Sequence, residues 1–250
     1  MTPAALEVRG LHFRYPDGHR ALSGIDLSIA VGERTALLGP NGAGKTSLVL
    51  HLNGILTADS GSVSVAGLDL QKGTVQEIRR RVAIVFQDPD DQLFMPTVRA
   101  DVAFGPANLG LRGDELDARV EEALSAVDML DVADQTPHHL SLGQRRRVAV
   151  ATVLAMRPEI LVLDEPSANM DPFSRRELAE IILGLEVTVL MVTHDLSYAL
   201  ELCPRSLVMN EGRIVADGRT PDILSDDDLL RRNRLELPYG LDPHVGLPRR

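Results

Sequence analysis

The chain has 250 residues, of which 44% are hydrophobic, and a formal net charge of −10. This length and composition allow a sizeable core, which excludes a disordered protein. Acidic residues (36) outnumber lysine and arginine (26), and that balance argues against a general nucleic-acid binder. Only Lys45 and Lys72 are lysines, which leaves 24 of the 26 basic residues as arginine.

Cysteine usage and apolar runs bear on the compartment. The single cysteine, Cys203, excludes an intrachain disulfide and a cysteine-cluster metal site. The first ten residues lack the pattern of a secretory signal. The longest apolar runs fall far short of the ~20 residues that a membrane-spanning helix needs. We therefore expect a cytosolic chain with no direct membrane span, which acts on any membrane process through a partner.

Turn residues and apolar periodicity predict mostly strands in the first third of the chain. A turn at Pro16-Asp17-Gly18 separates the first two strands, and the third ends at Gly39, as buried parallel strands often do. Leucines at i, i+4 and i+8 predict a helix over residues 45–56. The predicted strands are 6–11, 21–29, 35–38, 62–65 and 82–86.

The composition changes after the last of these strands. From Asp88 to Gln135 there are twelve acidic residues and three arginines, a local charge of −9 that carries nearly all of the net −10. The pattern is helical there, notably over residues 114–129. The later predicted elements are helices over 141–156 and 173–185 and buried strands over 160–163 and 187–192. We predict a parallel α/β core that is interrupted by an acidic helical insertion and then resumed.

Residues 39–46, GPNGAGKT, fit the phosphate-binding loop G-x-x-x-x-G-K-[ST] between a strand and a helix. Glycines let backbone N–H groups close around phosphates, and Lys45 supplies a compact charge for the β- and γ-phosphate oxygens. The Thr46 hydroxyl is a ligand suited to Mg²⁺. The motif therefore predicts a nucleoside triphosphate site.

Two further motifs follow downstream. The buried strand 160–163 delivers Asp164 and Glu165 at its end, where Asp164 can hold Mg²⁺ through water and Glu165 can accept a proton from an attacking water. Ser141 and Gln144 have the spacing of a capping box, which predicts a preformed, electropositive helix N-terminus. An ordinary helix start would also explain the box in isolation.

The motifs together resemble the ATP-binding cassette ATPases, and within them the energy-coupling-factor ATPases that include the cobalt-importer type. The resemblance covers residues 6 to about 220 and includes Tyr15, Gln87, the stretch SANMD at 167–171, and His194. The subfamily is indicated by QDPDDQLF from Gln87 and by residues 97–106. The expected fold is an α/β P-loop NTPase with a RecA-like parallel core and an N-terminal antiparallel β region.

The resemblance also implies the domain organisation and the site residues. The nucleotide-binding domain would span residues 1–220, with a helical subdomain inserted at about 88–155, and residues 221–250 would form a C-terminal helical extension and tail. The implied catalytic residues are Gln87, Glu165 and His194, and the implied magnesium set is Thr46, Gln87 and Asp164. The implied nucleotide-binding residues are Tyr15, Gly39, Asn41, Gly42, Gly44, Lys45, Thr46, Ser47, Ser141, Gly143, Gln144 and Asp171.

In this family two cassettes enclose two ATP molecules, so a homodimer, or a heterodimer with a second cassette ATPase, is implied. Tyr15 would stack on adenine, and Ser141 and Gly143 would contact the γ-phosphate bound by the other subunit. Asp171 would pass information across that interface, and His194 would orient the water of Glu165. Leu142 departs from the family pattern of two glycines, and we expect activity with weaker closure.

The resemblance implies further partners at the cytoplasmic face of the inner membrane: an integral membrane coupling subunit and a substrate-binding membrane subunit. Asp88, Asp90 and Asp91 would pair with arginines of the coupling subunit, although a solvated surface is the alternative. Cobalt or nickel is the expected substrate, with a biotin-type vitamin as the alternative. A soluble cassette ATPase of DNA repair or translation, or a regulatory module without turnover, fits the chain less well.

Overall fold

The computed structural model describes residues 4–244, so part of the predicted C-terminal tail lies outside the described residues. The described chain forms two compact units. The first unit consists of the described residues up to Ala83, of Glu159–Glu165, and of those from Glu186 onward. The second consists of Ile84–Pro158 and Pro166–Leu185.

The regular elements alternate along most of the chain. The strands are β1 (Ala4–Arg14), β2 (Arg20–Ala30), β3 (Arg34–Leu38), β4 (Ser60–Val65), β5 (Leu68–Asp69), β6 (Val82–Val85), β7 (Ile160–Asp164), β8 (Thr188–Thr193), β9 (Arg205–Asn210) and β10 (Arg213–Arg219). The helices are α1 (Lys45–Leu52), α2 (Val75–Arg81), α3 (Val98–Asn108), α4 (Gly113–Ala126), α5 (Leu142–Leu154), α6 (Pro172–Gly184), α7 (Leu196–Leu202), α8 (Thr220–Leu224) and α9 (Asp227–Arg232).

The first unit contains an antiparallel sheet of four strands in the order β2-β1-β4-β5. Val8 of β1 pairs with Leu27 of β2 and with Val63 of β4, and all three side chains are buried. Alternation of buried and exposed side chains is what a sheet with one solvated face requires. The predicted strands 6–11, 21–29 and 62–65 are confirmed, each with a longer extent.

A six-stranded sheet has the order β10-β9-β3-β8-β7-β6. Strand β3 pairs in parallel with β8 and β9, β7 pairs in parallel with β8, and β10 is antiparallel to β9. Leu38 is level with Thr193, and Asp164 is level with Val192. The carboxyl ends of β3, β8 and β7 therefore meet at one edge of the sheet, where ligands of open parallel sheets bind. The predicted parallel α/β core is confirmed.

The predicted helix over residues 45–56 is too long, because α1 ends at Leu52. Gly54 has a φ of +71°, and a Cβ there would lie 2.9 Å from Cγ2 of Val75. The chain leaves the helix at this point in a conformation that favours glycine. The remaining leucine of the periodic pattern, Leu56, lies in the following loop.

The second unit contains the helices α3, α4, α5 and α6. Helix α4 buries Val120, Ala123 and Leu124, but it ends before the predicted boundary at 129, and Asp128 has a φ of +54°. This unit also includes α6, through its second segment Pro166–Leu185. No helix within residues 4–244 is both long and apolar enough to cross a membrane.

Candidate functional site

The phosphate loop connects β3 to α1 in the first unit, and glycine is required at two of its positions. A Cβ on Gly39 would lie 2.2 Å from the carbonyl oxygen of Met209. Gly44 has a φ of +102°, and a Cβ there would lie 2.5 Å from the carbonyl oxygen of Ala21. Since both neighbours are backbone atoms, neither can yield to a larger residue. Asn41 and Gly42 are exposed at the tip of the loop.

Lys45 lies inside this loop, with only 8% of its surface exposed. Its Nζ donates hydrogen bonds to the carbonyl oxygens of Gly39, at 2.7 Å, and Pro40, at 3.1 Å. Burial lowers the pKa of Lys45, while the nearby carboxylates of Glu165 and Asp164 oppose that shift. The ammonium group is therefore held in a poorly solvated site, where an anionic ligand would be attracted strongly.

Thr46 and Asp164 come together from α1 and β7. The Thr46 hydroxyl donates to Oδ2 of Asp164 over 3.3 Å, and Asp164 is 7% exposed. Burial, and then the charge of Glu165, raise the pKa of Asp164, while the Thr46 hydrogen bond and Lys45 lower it. A hydroxyl and a carboxylate in contact form an oxygen donor set of the kind that Mg²⁺ prefers.

Glu165 lies directly after β7 and its side chain turns toward the end of β8. Its φ of +48° is unusual for a residue with a side chain. Oε1 of Glu165 lies 2.9 Å from Nδ1 of His194. Oε2 accepts hydrogen bonds from the Thr193 hydroxyl at 3.2 Å and from the backbone N–H of His194 at 3.3 Å. The carboxylate is thereby fixed beside an imidazole that is largely exposed.

Thr193 is a site residue that the motif analysis does not include. Its hydroxyl donates to Glu165, and its oxygen also accepts from the backbone N–H of Asp195 at 3.0 Å. The available signal is its position, because it precedes His194 at the end of a buried strand. A hydroxyl in that position can align the neighbouring carboxylate, which motif spacing alone does not reveal.

Tyr15 is half-buried after β1 and contacts the helix that follows the phosphate loop. Its hydroxyl is 3.0 Å from the hydroxyl of Ser47. The ring of Phe13 meets the Tyr15 ring edge-on, with 4.9 Å between centroids. Tyr15 thus contacts Ser47 through its hydroxyl and Phe13 through its ring.

The second unit carries the other predicted site residues, among them the capping box. The backbone N–H of Gln144 donates to Oγ of Ser141 at 3.3 Å, and the N–H of Ser141 donates to the Gln144 side chain at 2.9 Å. The predicted box is confirmed. A Cβ on Gly143 would lie 2.6 Å from Oγ of Ser174, so glycine is required for the close packing of α5 on α6.

Asp171 caps α6 in this second unit, and Gln87 follows β6. Asp171 accepts hydrogen bonds from the backbone N–H groups of Phe173, at 2.9 Å, and Ser174, at 3.0 Å. Hydrogen bonds from the Ser174 hydroxyl and these N–H groups lower the pKa of Asp171. Both Asp171 and Gln87 are exposed. The structure thus divides the predicted site residues between the two units.

Replacing Asp164 with asparagine is expected to raise the melting temperature of the nucleotide-free protein by about 2 °C or more at pH 7. The raised pKa of Asp164 means that the ionised carboxylate costs stability in the folded state. The protonated carboxyl of Asp164 is favoured in the folded protein, so its contribution to the free energy of unfolding is fully present below the unfolded-state pKa. That contribution is lost as pH rises through the folded-state pKa. The gain in Asp164→Asn should therefore fade as pH falls toward 4, as measured by calorimetry.

The exposed Asp131 provides a matched control for this experiment. Asp131→Asn should change the melting temperature little at any of these pH values. A gain in Asp164→Asn that persisted or grew at acid pH would contradict the electrostatic explanation.

The fold and the first cluster together define a P-loop NTPase: a phosphate loop joins a parallel strand to a helix, and two carboxylates end a neighbouring strand. The family model described as ABC transporter matches residues 22–168. The chain belongs to this family, and it is an ATP-binding cassette ATPase. The predicted fold class, family and ATPase activity are confirmed.

Two relatives and one solved structure are similar to this chain over nearly its whole length. A putative ABC transporter ATP-binding protein of Streptomyces coelicolor is 70% identical over 97% of this chain and 93% of its own length. The energy-coupling factor transporter ATP-binding protein EcfA of Carboxydothermus hydrogenoformans is 50% identical over 94% of this chain and 87% of its own. The structure of cbiO1 from Clostridium perfringens, part of the ABC transporter complex cbiONQ, has a TM-score of 0.83 and 37% identity, covering 97% of this chain and 98% of its own.

Proposed function

We propose that the chain is the ATP-hydrolysing subunit of an importer of the energy-coupling-factor type, and that this importer transports cobalt or nickel. The main structural support for ATP hydrolysis is the contact of Glu165 with His194 beside the phosphate loop. Similarity to EcfA and to cbiO1 over nearly the whole chain supports the transport part.

The residues of the first unit have distinct roles in this proposal. Lys45 and the N–H groups of the loop at Gly39, Asn41, Gly42 and Gly44 bind the phosphates, together with Thr46 and Ser47. Tyr15 presents its ring to the adenine. Phosphate oxygens that leave water to meet the buried Lys45 ammonium make a stronger contact, because the effective dielectric constant there is low.

Mg²⁺ would be held by Thr46, Asp164 and Gln87, and when bound it would neutralise charge on the phosphate oxygens. The Thr46–Asp164 hydrogen bond supports this assignment, since it places two oxygen donors together at the end of β7. Asp164 ends β7, and Thr46 lies in α1, which follows β3 after the phosphate loop, so both oxygens lie at the carboxyl edge of the same sheet.

Glu165 is the proposed general base for the attacking water. Its carboxylate is oriented by the Thr193 hydroxyl and by the backbone N–H of His194, and its other oxygen lies against the imidazole. His194 would hydrogen-bond the γ-phosphate and hold the water in line. In this arrangement positioning and electrostatics supply the rate, as expected for phosphoryl transfer.

The second unit supplies contacts to a second cassette in this proposal. Ser141, Gly143 and Gln144 at the N-terminus of α5 would bind the γ-phosphate held by the partner, where backbone N–H groups favour anions. Asp171 would act across the same interface, and Gln87 would sense the membrane subunit. Two ATP molecules then close a homodimer or a heterodimer, and hydrolysis opens it.

Replacing Leu142 with glycine is expected to tighten the ATP-driven dimer by about threefold or more while turnover is retained. The leucine adds bulk beside the proposed γ-phosphate contact at the start of α5, and glycine removes it without removing the N–H. Dimerisation can be measured by analytical ultracentrifugation with ATP in a Glu165→Gln background. Unchanged dimerisation, or loss of turnover in the single variant, would refute this role for Leu142.

Reversing the charges of Asp90 and Asp91 is expected to weaken assembly with the membrane subunits at least tenfold and to spare basal ATPase activity. Both carboxylates are exposed, and Oδ1 of Asp90 lies 3.5 Å from Nε of Arg145. An exposed pair of rings in the same unit, Phe94 and Phe104, with centroids 5.0 Å apart, adds apolar surface for a partner. Co-purification after co-expression gives the measurement.

Asp114 and Glu115, two exposed acidic residues at the start of α4, provide the matched control. Reversing them changes the same number of charges as reversing Asp90 and Asp91. This control should leave assembly unchanged. If the Asp90 and Asp91 variant assembled as well as the control, the acidic surface would be a solvated one only.

Substrate and location are tested together by identifying the membrane proteins that co-purify with the chain. Peripheral attachment to the cytoplasmic face of the inner membrane requires a coupling subunit and a substrate-binding subunit in the isolated complex. Uptake of labelled cobalt or nickel, compared with labelled biotin, then separates the metal importer from the vitamin importer. Recovery of the chain without any membrane protein would favour a soluble cassette ATPase.

A further inference from the structure

A cavity of about 340 Å³ in the first unit is not used by the proposed ATPase mechanism. Its walls come from β1, the end of α1, β4 and α2, and they include Leu11, His51, Val63 and Val75. The volume lies within the roughly 300–1,000 Å³ that is typical of pockets for small molecules. The cavity is therefore large enough for a ligand with an aromatic or branched apolar body.

The lining of the cavity is more apolar than polar, and it includes two cationic side chains. Lys72 and Arg79 are its charged lining residues, and no aspartate or glutamate lines it. Arg79 already donates hydrogen bonds to the carbonyl oxygens of Asn53 and Gly54, each at 3.1 Å. Lys72 is exposed, and within residues 4–244 it makes no hydrogen bond or ion pair. One available cation beside apolar side chains complements one negative charge on an apolar body.

His51 joins this cavity to α1. Its ring is 1% exposed, and Nδ1 is 2.7 Å from the carbonyl oxygen of Ser47. Burial lowers the pKa of His51, although the carbonyl groups of Ser47 and Thr57 and the charge of Asp59 oppose that shift. Among the described residues Nε2 makes no hydrogen bond of normal geometry, although the Thr57 carbonyl lies close enough to raise the pKa of the ring.

A chain of ring contacts leads from the cavity to the proposed adenine contact. His51 meets Phe13 edge-on with 4.6 Å between centroids, and Phe13 meets Tyr15 in the same way at 4.9 Å. The Tyr15 hydroxyl then contacts Ser47, whose carbonyl accepts from His51. These contacts form a closed circuit that runs through three rings and both the side chain and the backbone carbonyl of Ser47.

We propose that this cavity binds a small apolar monocarboxylate, and that the bound ligand strengthens ATP binding through His51, Phe13 and Tyr15. Lys72 pairs with the carboxylate, and the apolar body packs between β4 and α2. The ligand restricts His51, and a restricted His51 holds Tyr15 in place before the nucleotide arrives. The site itself stands independently of the ATPase mechanism, while the coupling rests on the proposed role of Tyr15.

Binding is tested with three probes of increasing size, hexanoate, phenylacetate and naphthylacetate, against the full chain by isothermal titration calorimetry. Naphthylacetamide is the matched neutral probe. We expect at least one carboxylate to bind at millimolar concentration or better, and naphthylacetate to bind about threefold to fivefold more tightly than its amide. Failure of all three carboxylates, or equal binding of acid and amide, overturns the proposal.

Two variants locate the site. Lys72→Gln should remove the preference for the acid over the amide, and Lys72→Arg should retain it. Ala58→Leu should reduce binding of every probe at least tenfold, because Ala58 lines the cavity and the larger side chain occupies it. None of these residues belongs to the proposed ATPase machinery, so basal activity should stay unchanged. Undiminished binding in Ala58→Leu would place the ligand elsewhere and refute the site.

The coupling between the cavity and the ATP site is tested by measuring the effect of each ligand on the binding of the other. Saturating naphthylacetate should tighten ATP binding to the wild type about fivefold, and saturating ATP should tighten naphthylacetate by the same factor. Phe13→Leu should reduce both factors equally and leave naphthylacetate affinity without ATP unchanged. If probe binding leaves ATP affinity unaltered, the regulatory role is wrong although the site is real. If Tyr15→Ala retains full ATP affinity, the failure belongs to the proposed function of Tyr15.

Discussion

Replacing Glu165 with glutamine is expected to lower the rate of ATP hydrolysis by about 10²–10⁴-fold, the contribution of a general base. ATP binding should persist, because the change removes a proton acceptor and leaves the phosphate loop intact. Glutamine retains a carbonyl oxygen that can accept the hydrogen bonds of Thr193 and His194. Steady-state phosphate release, measured beside nucleotide affinity by titration, separates the two effects.

Glu159 at the other end of β7 gives a matched control, since Glu159→Gln makes the same chemical change at an exposed position. That variant loses only an ion pair with Arg81 at 3.6 Å, which is worth little on the surface. Its hydrolysis rate should equal that of the wild type. Near-normal turnover in Glu165→Gln would assign the base to another residue.

Replacing Lys45 with methionine is expected to weaken ATP binding by about 100-fold, the order of a charge-assisted hydrogen bond in a dry site. Arginine should not restore binding. The Lys45 ammonium is buried between two carbonyl oxygens of the loop, and the planar guanidinium is larger and cannot enter the same space. Nucleotide titration of Lys45→Met and Lys45→Arg measures both effects.

The only other lysine supplies the control. Lys72→Met removes an exposed ammonium from the first unit and should leave ATP affinity unchanged in the absence of a carboxylate ligand. If Lys45→Arg bound ATP as well as the wild type, the site would need only a positive charge, and the proposed requirement for a compact ammonium would be wrong. Circular dichroism spectra of all three variants confirm that each one is folded.

Many features of this protein follow from local sequence. The glycines and Lys45 of the phosphate loop, the strand that ends in Asp164 and the Ser141–Gln144 box are all recognisable from spacing. Each depends on residues within one turn or one strand, so backbone geometry alone dictates the pattern. The hairpin of β9 and β10 and the helices α2 and α7 have no such local pattern and are absent from the predicted elements, whereas α3 lies within the stretch predicted to be helical.

Tertiary structure decided how the side chains meet. Alternation along a strand would place Asp164 and Glu165 on opposite faces, but the left-handed backbone at Glu165 turns its carboxylate toward His194, 29 residues away. The strand order β3-β8-β7 brings together Thr46 and Asp164, which are 118 residues apart. The cavity beside His51 is a similar product of packing between distant elements.

The sequence by itself therefore determined the class of chemistry, because phosphate binding needs a compact local arrangement of glycine, lysine and threonine. It also determined the −9 charge of residues 88–135, since charge depends only on composition. The tertiary structure decided which groups orient Glu165 and which groups connect His51 to Tyr15. Those contacts join residues that are far apart in the chain, and only the order of strands and the packing of side chains fix them.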